Sequence, residues 1–132
     1  MKILVTGGAG YIGAHVVHAA QAAGHECVVI DNLSTGIKER ISADIVELDI
    51  AASDAGEKLT KLLSSQKFDS VIHLAARKQV GESVEIPERY FLDNVGGMAN
   101  LLLAMRETSH DSLVFIFGCH LWSARCKAGE RG

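Results

Sequence analysis

The sequence predicts an α/β fold, a doubly wound parallel sheet, on three observations. Short apolar runs alternate with stretches of helical periodicity, a cluster of glycines separates the first apolar run from the first helical stretch, and the second apolar run ends on an acid. Alternation of this kind implies right-handed crossovers and a sheet covered on both faces, so its strands read as continuous apolar runs.

The elements follow in order. Ile3-Leu4-Val5 reads as a buried strand running into the glycines. Tyr11 to Ala23 is helical, with Ile12, Val16, Ala19, Ala20 and Ala23 able to share one face, and Gly24 stops it. Glu26 to Ile30 is the second strand, finishing at Asp31, and Ile45 to Leu48 the third, finishing at Asp49. Leu59, Leu62 and Leu63 make a helix of Glu57 to Gln66, and Ser70 to Leu74 is the fourth strand. A long helix is expected from about Tyr90 to Glu107 behind Pro87, its apolar face made of Leu92, Val95, Ala99, Leu102 and Leu103. Leu113 to Phe117 is the fifth strand, and the expected sheet order is 3-2-1-4-5. The incomplete domain spans residues 1–117. Residues 118–132, with three glycines, scattered basic residues and no periodicity, read as an irregular tail.

Composition narrows the function classes. A chain of 132 residues, 48% hydrophobic and 22% charged, fits one packed domain. A net charge of −3 gives no reason to expect nucleic acid or an anionic membrane as partner. The opening apolar run is too short for a signal peptide or a membrane span. Cys27, Cys119 and Cys126 are odd in number and form no CxxC, so a reducing, cytoplasmic location is expected and no metal site. His15 and His18, three apart on the first helix, read as a surface feature.

The chemistry lies in Gly7-Gly8-Ala9-Gly10-Tyr11-Ile12-Gly13, which follows a strand and opens a helix. Gly7 allows the tight turn, Gly10 lets the backbone approach a pyrophosphate, and Gly13 permits close helix–strand packing. Amides at the helix start carry partial positive charge and have no internal partner, so they suit phosphate oxygens. The competing reading is a glycine-rich turn without ligand. Against it, Asp31 stands eighteen residues after Gly13 at a strand end, where a carboxylate accepts hydrogen bonds from both ribose hydroxyls of adenosine. The same charge repels the extra phosphate of NADP, and Asn32-Leu33-Ser34 follows it rather than an arginine. The expected ligand is NAD and the expected fold Rossmann-like.

The spacing Gly7-x-x-Gly10-x-x-Gly13 resembles the extended short-chain dehydrogenase/reductase superfamily. The strings Lys2 to Gly13, Asp31-Asn32-Leu33-Ser34 and Phe68 to Ala76, with Lys78 and Val80-Gly81-Glu82-Ser83-Val84, resemble its UDP-glucose 4-epimerases. The Lys-x-Val-Gly-Glu-Ser segment is the discriminating piece, because sugar-nucleotide dehydratases share the rest. The resemblance covers roughly Met1 to Phe115, and members are more than twice as long as this chain. It implies inversion at C4 of a UDP-hexose (UDP-glucose/UDP-galactose interconversion in galactose metabolism), with NAD taking a hydride and returning it to the other face. For the full-length family a homodimer is implied.

By matching positions, Gly7, Gly10, Tyr11, Ile12 and Gly13 would hold the pyrophosphate. Asp31, Asn32, Leu33, Ser34, Thr35 and Gly36 would surround the adenosine ribose, and Asp49 and Ile50 would contact adenine. Leu74, Ala75, Ala76 and Lys78 would line the nicotinamide side, where a solvated loop lysine is the competing reading for Lys78. Two asparagines are usual in the family where this chain has Asp93-Asn94. His73 reads as structural support rather than an acid or base.

The family's Ser and Tyr-x-x-x-Lys, which the resemblance makes the catalytic set, have no counterpart here. Neither Tyr11 nor Tyr90 is followed by a lysine at that spacing, so no catalytic residue is assigned. Where the family reads Val-Phe-Ser-Ser-Ser-Ala, the chain has Val114-Phe115-Ile116-Phe117-Gly118-Cys119. Back-translating Phe115 to Trp122 and reading one nucleotide later permits Ser-Ser-Ser-Ala-Ala-Ile-Tyr-Gly. The expectation is a frameshift near Val114–Phe115, leaving a cofactor half inactive alone. Two other functions stay open: another NAD-dependent sugar-nucleotide epimerase or dehydratase, and a non-catalytic NAD-binding module.

Overall fold

The computed structural model describes residues 1–117 and 120–125. Its strands are β1 (Lys2–Thr6), β2 (Glu26–Asp31), β3 (Asp44–Glu47), β4 (Ser70–His73), β5 (Ser112–Phe117) and β6 (His120–Arg125). They form one sheet in the order β3-β2-β1-β4-β5-β6, with the first five mutually parallel and β6 antiparallel to β5. The 3-2-1-4-5 order and the parallel pairing are those the sequence predicts. The chain passes from β3 to β4 across the sheet, so the strand order reverses between β1 and β4, where α/β sheets bind ligands.

The helices are α1 (Tyr11–Ala22), α2 (Ala55–Ser65), α3 (Val80–Glu85), α4 (Pro87–Phe91) and α5 (Gly97–Glu107), the last two joined by a π-helical turn, Leu92–Gly96. Side chains alternate along β1, which divides the core. Ile3 and Val5 pack with Ala14 and Val17 of α1 on one face; Leu4 packs with Leu59 and Leu63 of α2 and Leu101 and Met105 of α5 on the other. Gly24, at φ +83°, ends α1: its amide donates to Gln21 O at 2.9 Å and that of His25 to Ala20 O at 3.0 Å, the paired bonds of a Schellman stop. Among the described residues no helix is long and apolar enough to cross a membrane.

Four expectations are corrected. The buried face of α1 is Gly13, Ala14 and Val17, with Val16 and Ala20 at its edge, while Ile12, Ala19 and Ala23 are exposed. Gly13 must face the glycine turn, and that contact sets the phase of the helix. The long helix starts earlier, with Pro87 inside its first turn, and buries Gly97, Leu101, Ala104 and Met105. Leu92, Val95, Ala99, Leu102 and Leu103, the expected apolar face, are exposed. Apolar residues surround this helix, so periodicity cannot choose the face; Gly97 against Ile50 and the Asn100 amide donating to Ile50 O at 2.9 Å do. Finally, β6 occupies part of the stretch expected to be irregular. The open edge of β5 offers unpaired backbone groups that a following segment can satisfy without any apolar periodicity. Cys119 and Cys126 lie outside the described residues.

Candidate functional site

The buried polar or charged side chains among the described residues are Thr6, Asp31 and His73. Each is the last residue of its strand, β1, β2 and β4 respectively, so all three stand side by side at the carboxyl end of the sheet. Burial of polar groups is costly unless each finds a partner, and each does.

Gly7 follows Thr6 at φ +71°, a conformation that favours glycine, and its amide donates to Ile30 O at 2.7 Å. A Cβ on Gly7 would meet the Ala75 backbone at 2.7 Å, and one on Gly13 would sit 2.1 Å from Gly7 O. The chain thus turns so sharply that α1 starts directly over the end of β1. Its N-cap is Gly10, with no side-chain cap and no acidic residue in the first turn. The amides of Tyr11, Ile12 and Gly13 are therefore open to an anion.

Asp31 faces this turn from the end of β2. Its Oδ2 accepts the Ala9 amide at 3.0 Å and its Oδ1 the Leu33 amide at 2.9 Å. Leu33 sits at φ +55°, an unusual conformation for a branched side chain, and Ser34 N donates to Asn32 Oδ1 at 3.1 Å. The carboxylate thus ties the glycine turn to the loop after β2. A carboxylate has about four acceptor positions, so two remain for ligand hydroxyls.

At β4 the Thr6 hydroxyl lies 2.6 Å from His73 Nδ1 and faces the amides of Leu74 and Ala75 at 3.3 and 3.4 Å. Amides can only donate, so the hydroxyl accepts from them and gives its proton to Nδ1, leaving the proton of the neutral ring on Nε2. Burial lowers the His73 pKa to about 4, which keeps the ring neutral and fits the support role expected of it.

The crevice over these strand ends has two lobes of about 330 and 300 Å³. The first runs from Gly7, Gly10 and Tyr11 past Asp31 and Gly36 to Asp49; the second runs from Ser34 past Ala76 and Lys78 to Asp93 and Asn94. Asn32, Thr35, Asp49, Ile50, Ala75, Ala76 and Lys78 border both, so the lobes are one cleft across the switch point. Nearly every residue the sequence nominated lines it, including Leu74. Ile12, Gly13 and Leu33 do not; Gly13 packs against the Gly7 backbone and the Leu33 amide donates to Asp31 Oδ1.

The structure adds residues that the sequence does not single out individually. Arg40 enters the first lobe from the turn after β2; Arg77, Gln79, Glu82 and Tyr90 enter the second. Arg77 lies inside the nominated stretch from Leu74 to Lys78, so adjacency was a usable signal, whereas Tyr90 had none. The hydrogen bond to Asp93 holds the Arg77 guanidinium above its ordinary pKa. Desolvation, then the Glu82 carboxylate, pushes the Tyr90 phenol up, so it remains protonated at neutral pH. Lys78 has no ion-pair partner among the described residues.

A glycine turn into an uncapped helix, facing an acid at the end of the neighbouring strand, is the arrangement used by dinucleotide sites, and comparison with known proteins points the same way. The model of the NAD dependent epimerase/dehydratase family matches residues 3–126. The chain belongs to that family. A UDP-glucose 4-epimerase of Corynebacterium glutamicum is 44% identical over 115 residues, covering 87% of this chain and 34% of that protein. Two solved structures superpose with a TM-score of 0.81. One is the Brucella ovis UDP-glucose 4-epimerase in complex with NAD, 41% identical over 86% of this chain and 34% of that one. The other is the Stenotrophomonas maltophila enzyme with bound NAD and formylated UDP-arabinopyranose, 36% identical over 87% of this chain and 36% of that one. The chain spans about a third of the length of these family members.

Proposed function

We propose that this chain is the cofactor-holding part of a UDP-glucose 4-epimerase, binding NAD in the cleft at the switch point. The observation that carries the proposal is the uncapped start of α1 facing Asp31 over the ends of β1 and β2. The amides of Tyr11 to Gly13 would take the pyrophosphate, and the free acceptor positions of Asp31 the adenosine ribose hydroxyls. Asp49 and Ile50 would flank adenine; they are held by the Ala51 amide on Asp49 Oδ1 at 3.0 Å and by Asn100 on Ile50 O. Ala75, Ala76 and Lys78 would line the nicotinamide half, across β1 from Asp31. Bound NAD supplies a hydride acceptor for a sugar hydroxyl-bearing carbon; the residues of this chain bind and orient it. The substrate class, a UDP-hexose, rests on the family members and on the Lys78-x-Val80-Gly81-Glu82-Ser83 segment.

No Tyr-x-x-x-Lys pair, the set that the family resemblance makes catalytic, stands among residues 1–132, so these residues are read as holding the cofactor rather than as carrying the proton transfer. Binding without turnover is the corresponding reading. Calorimetric titration with NAD and NADP, beside an assay for UDP-galactose conversion, tests it. One NAD per chain, NADP weaker by at least about tenfold from charge repulsion at Asp31, and no conversion are expected. Equal affinity for the two dinucleotides would remove Asp31 from its role, and conversion would overturn the absence of catalysis.

A further inference from the structure

The wall of the second lobe between Ala75 and Gln79 is irregular backbone with little holding it from the β4 side. Beyond the contacts of Leu74 and Ala75 with Thr6, its hydrogen bonds run to α3, α4 and the π-helical turn. Asn94 clamps the Arg77 backbone, its Oδ1 accepting the amide at 2.8 Å and its Nδ2 donating to the carbonyl at 3.2 Å. The Arg77 guanidinium forks onto two carboxylates: Nε donates to Asp93 Oδ2, and one terminal nitrogen reaches Glu82 Oε1 at 3.3 Å. The Tyr90 hydroxyl accepts the Gln79 amide at 3.0 Å and lies 2.8 Å from Gln79 O and 2.9 Å from Glu82 Oε2. Arg77, Glu82 and Asp93 side chains are 27%, 30% and 31% exposed, so water screens these pairs only in part. Asp93, the departure from the family's usual asparagine, thereby has a partner of opposite charge in this chain. The π-helical turn brings Asp93 and Asn94, neighbours in sequence, onto the same residue.

We propose that Arg77 is a positioning residue: through its fork onto Asp93 and Glu82 it holds the Ala75–Gln79 wall in place for the nicotinamide half of the dinucleotide. The guanidinium is committed to two carboxylates and does not serve as an anion site; among the described residues the neighbouring Lys78 ammonium has no ion-pair partner. The inference rests on the NAD reading above. It adds that the two halves of the ligand depend on different residues, with the adenosine half anchored by Asp31 and independent of Arg77.

Fluorescence titration of the full chain with NADH, whose emission reports the nicotinamide, and displacement by AMP, which lacks it, test the separation. In Arg77→Met, NADH affinity is expected to fall about fivefold, as for a partly screened charge pair, with AMP affinity unchanged within about twofold. Arg77→Lys, which keeps the charge but cannot fork onto both carboxylates, is expected to recover only part of the loss, and Asp93→Ala to weaken NADH in the same sense. Arg77→Met combined with Asp93→Ala should be no worse than Arg77→Met alone. Unchanged NADH affinity in Arg77→Met, or parallel loss of NADH and AMP, overturns the inference while leaving the NAD reading standing. Should Arg77→Met fail to fold, Asp93→Ala carries the test, and NADH affinity equal to wild type there overturns it. Failure of the wild-type chain to bind either nucleotide overturns the NAD reading and the inference together.

Discussion

Gly13 and His73 show how single residues at the strand ends carry both fold and site. A methyl on Gly13 would sit 2.1 Å from Gly7 O, a backbone atom that cannot swing aside. Gly13→Ala is therefore expected to cost several kcal/mol, of order 3 or more, by pushing α1 off β1, read as a lowered denaturant midpoint. His73 gives a pH signature. Its pKa is about 4 in the fold against an ordinary 6.5, so between those values the unfolded chain binds more protons and stability falls as pH falls. The contribution, of order 3 kcal/mol, is complete above pH 6.5 and gone below pH 4. His73→Asn should flatten this slope in denaturation series across that window; an unchanged slope would assign it to other groups. The glycines and Asp31 were legible because each answers a local demand of a turn or strand end. The Thr6–His73 bond was not, because Thr6 and His73 stand 67 residues apart and meet only through the register of β1 with β4.

The elements themselves were legible from apolar runs, and their faces were not. In α2, where polar residues occupy one side, Leu59, Leu62 and Leu63 were placed correctly. In α5 leucines surround the helix, and the choice of face falls to Gly97 and Asn100 meeting Ile50. The short helix α3 has too few residues for a periodic pattern to reveal it; the Glu82 carboxylate ties it to Arg77 and to the Tyr90 hydroxyl of α4, residues distant in the pattern. Leu101 of α5 is fully buried while Leu92 of the π-helical turn is 70% exposed, which separates the observed buried face from the expected one. Leu101→Ala is expected to cost about 2–5 kcal/mol, whereas Leu92→Gln should stay within about 0.5 kcal/mol. Equal losses in chemical denaturation would return Leu92 to the core, as its periodicity suggested.

For the whole molecule, sheet order decides where function can reside. The reversal between β1 and β4 opens a cleft into which α1 aims its amides and β2 its acid, and most nominated contacts converge there from loops distant in sequence. That convergence was readable because motif and topology point to the same end of the sheet. The charged cluster around Arg77 was not, since it is assembled from α3, α4 and the π-helical turn, whose packing no local pattern encodes. The direct test of the dinucleotide cleft is an amide chemical-shift map of the chain titrated with NAD. Shifts concentrated at Gly10–Gly13, Asp31–Gly36, Asp49–Ile50 and Leu74–Lys78 are expected. Shifts centred elsewhere, or none at millimolar NAD, would contradict the NAD reading.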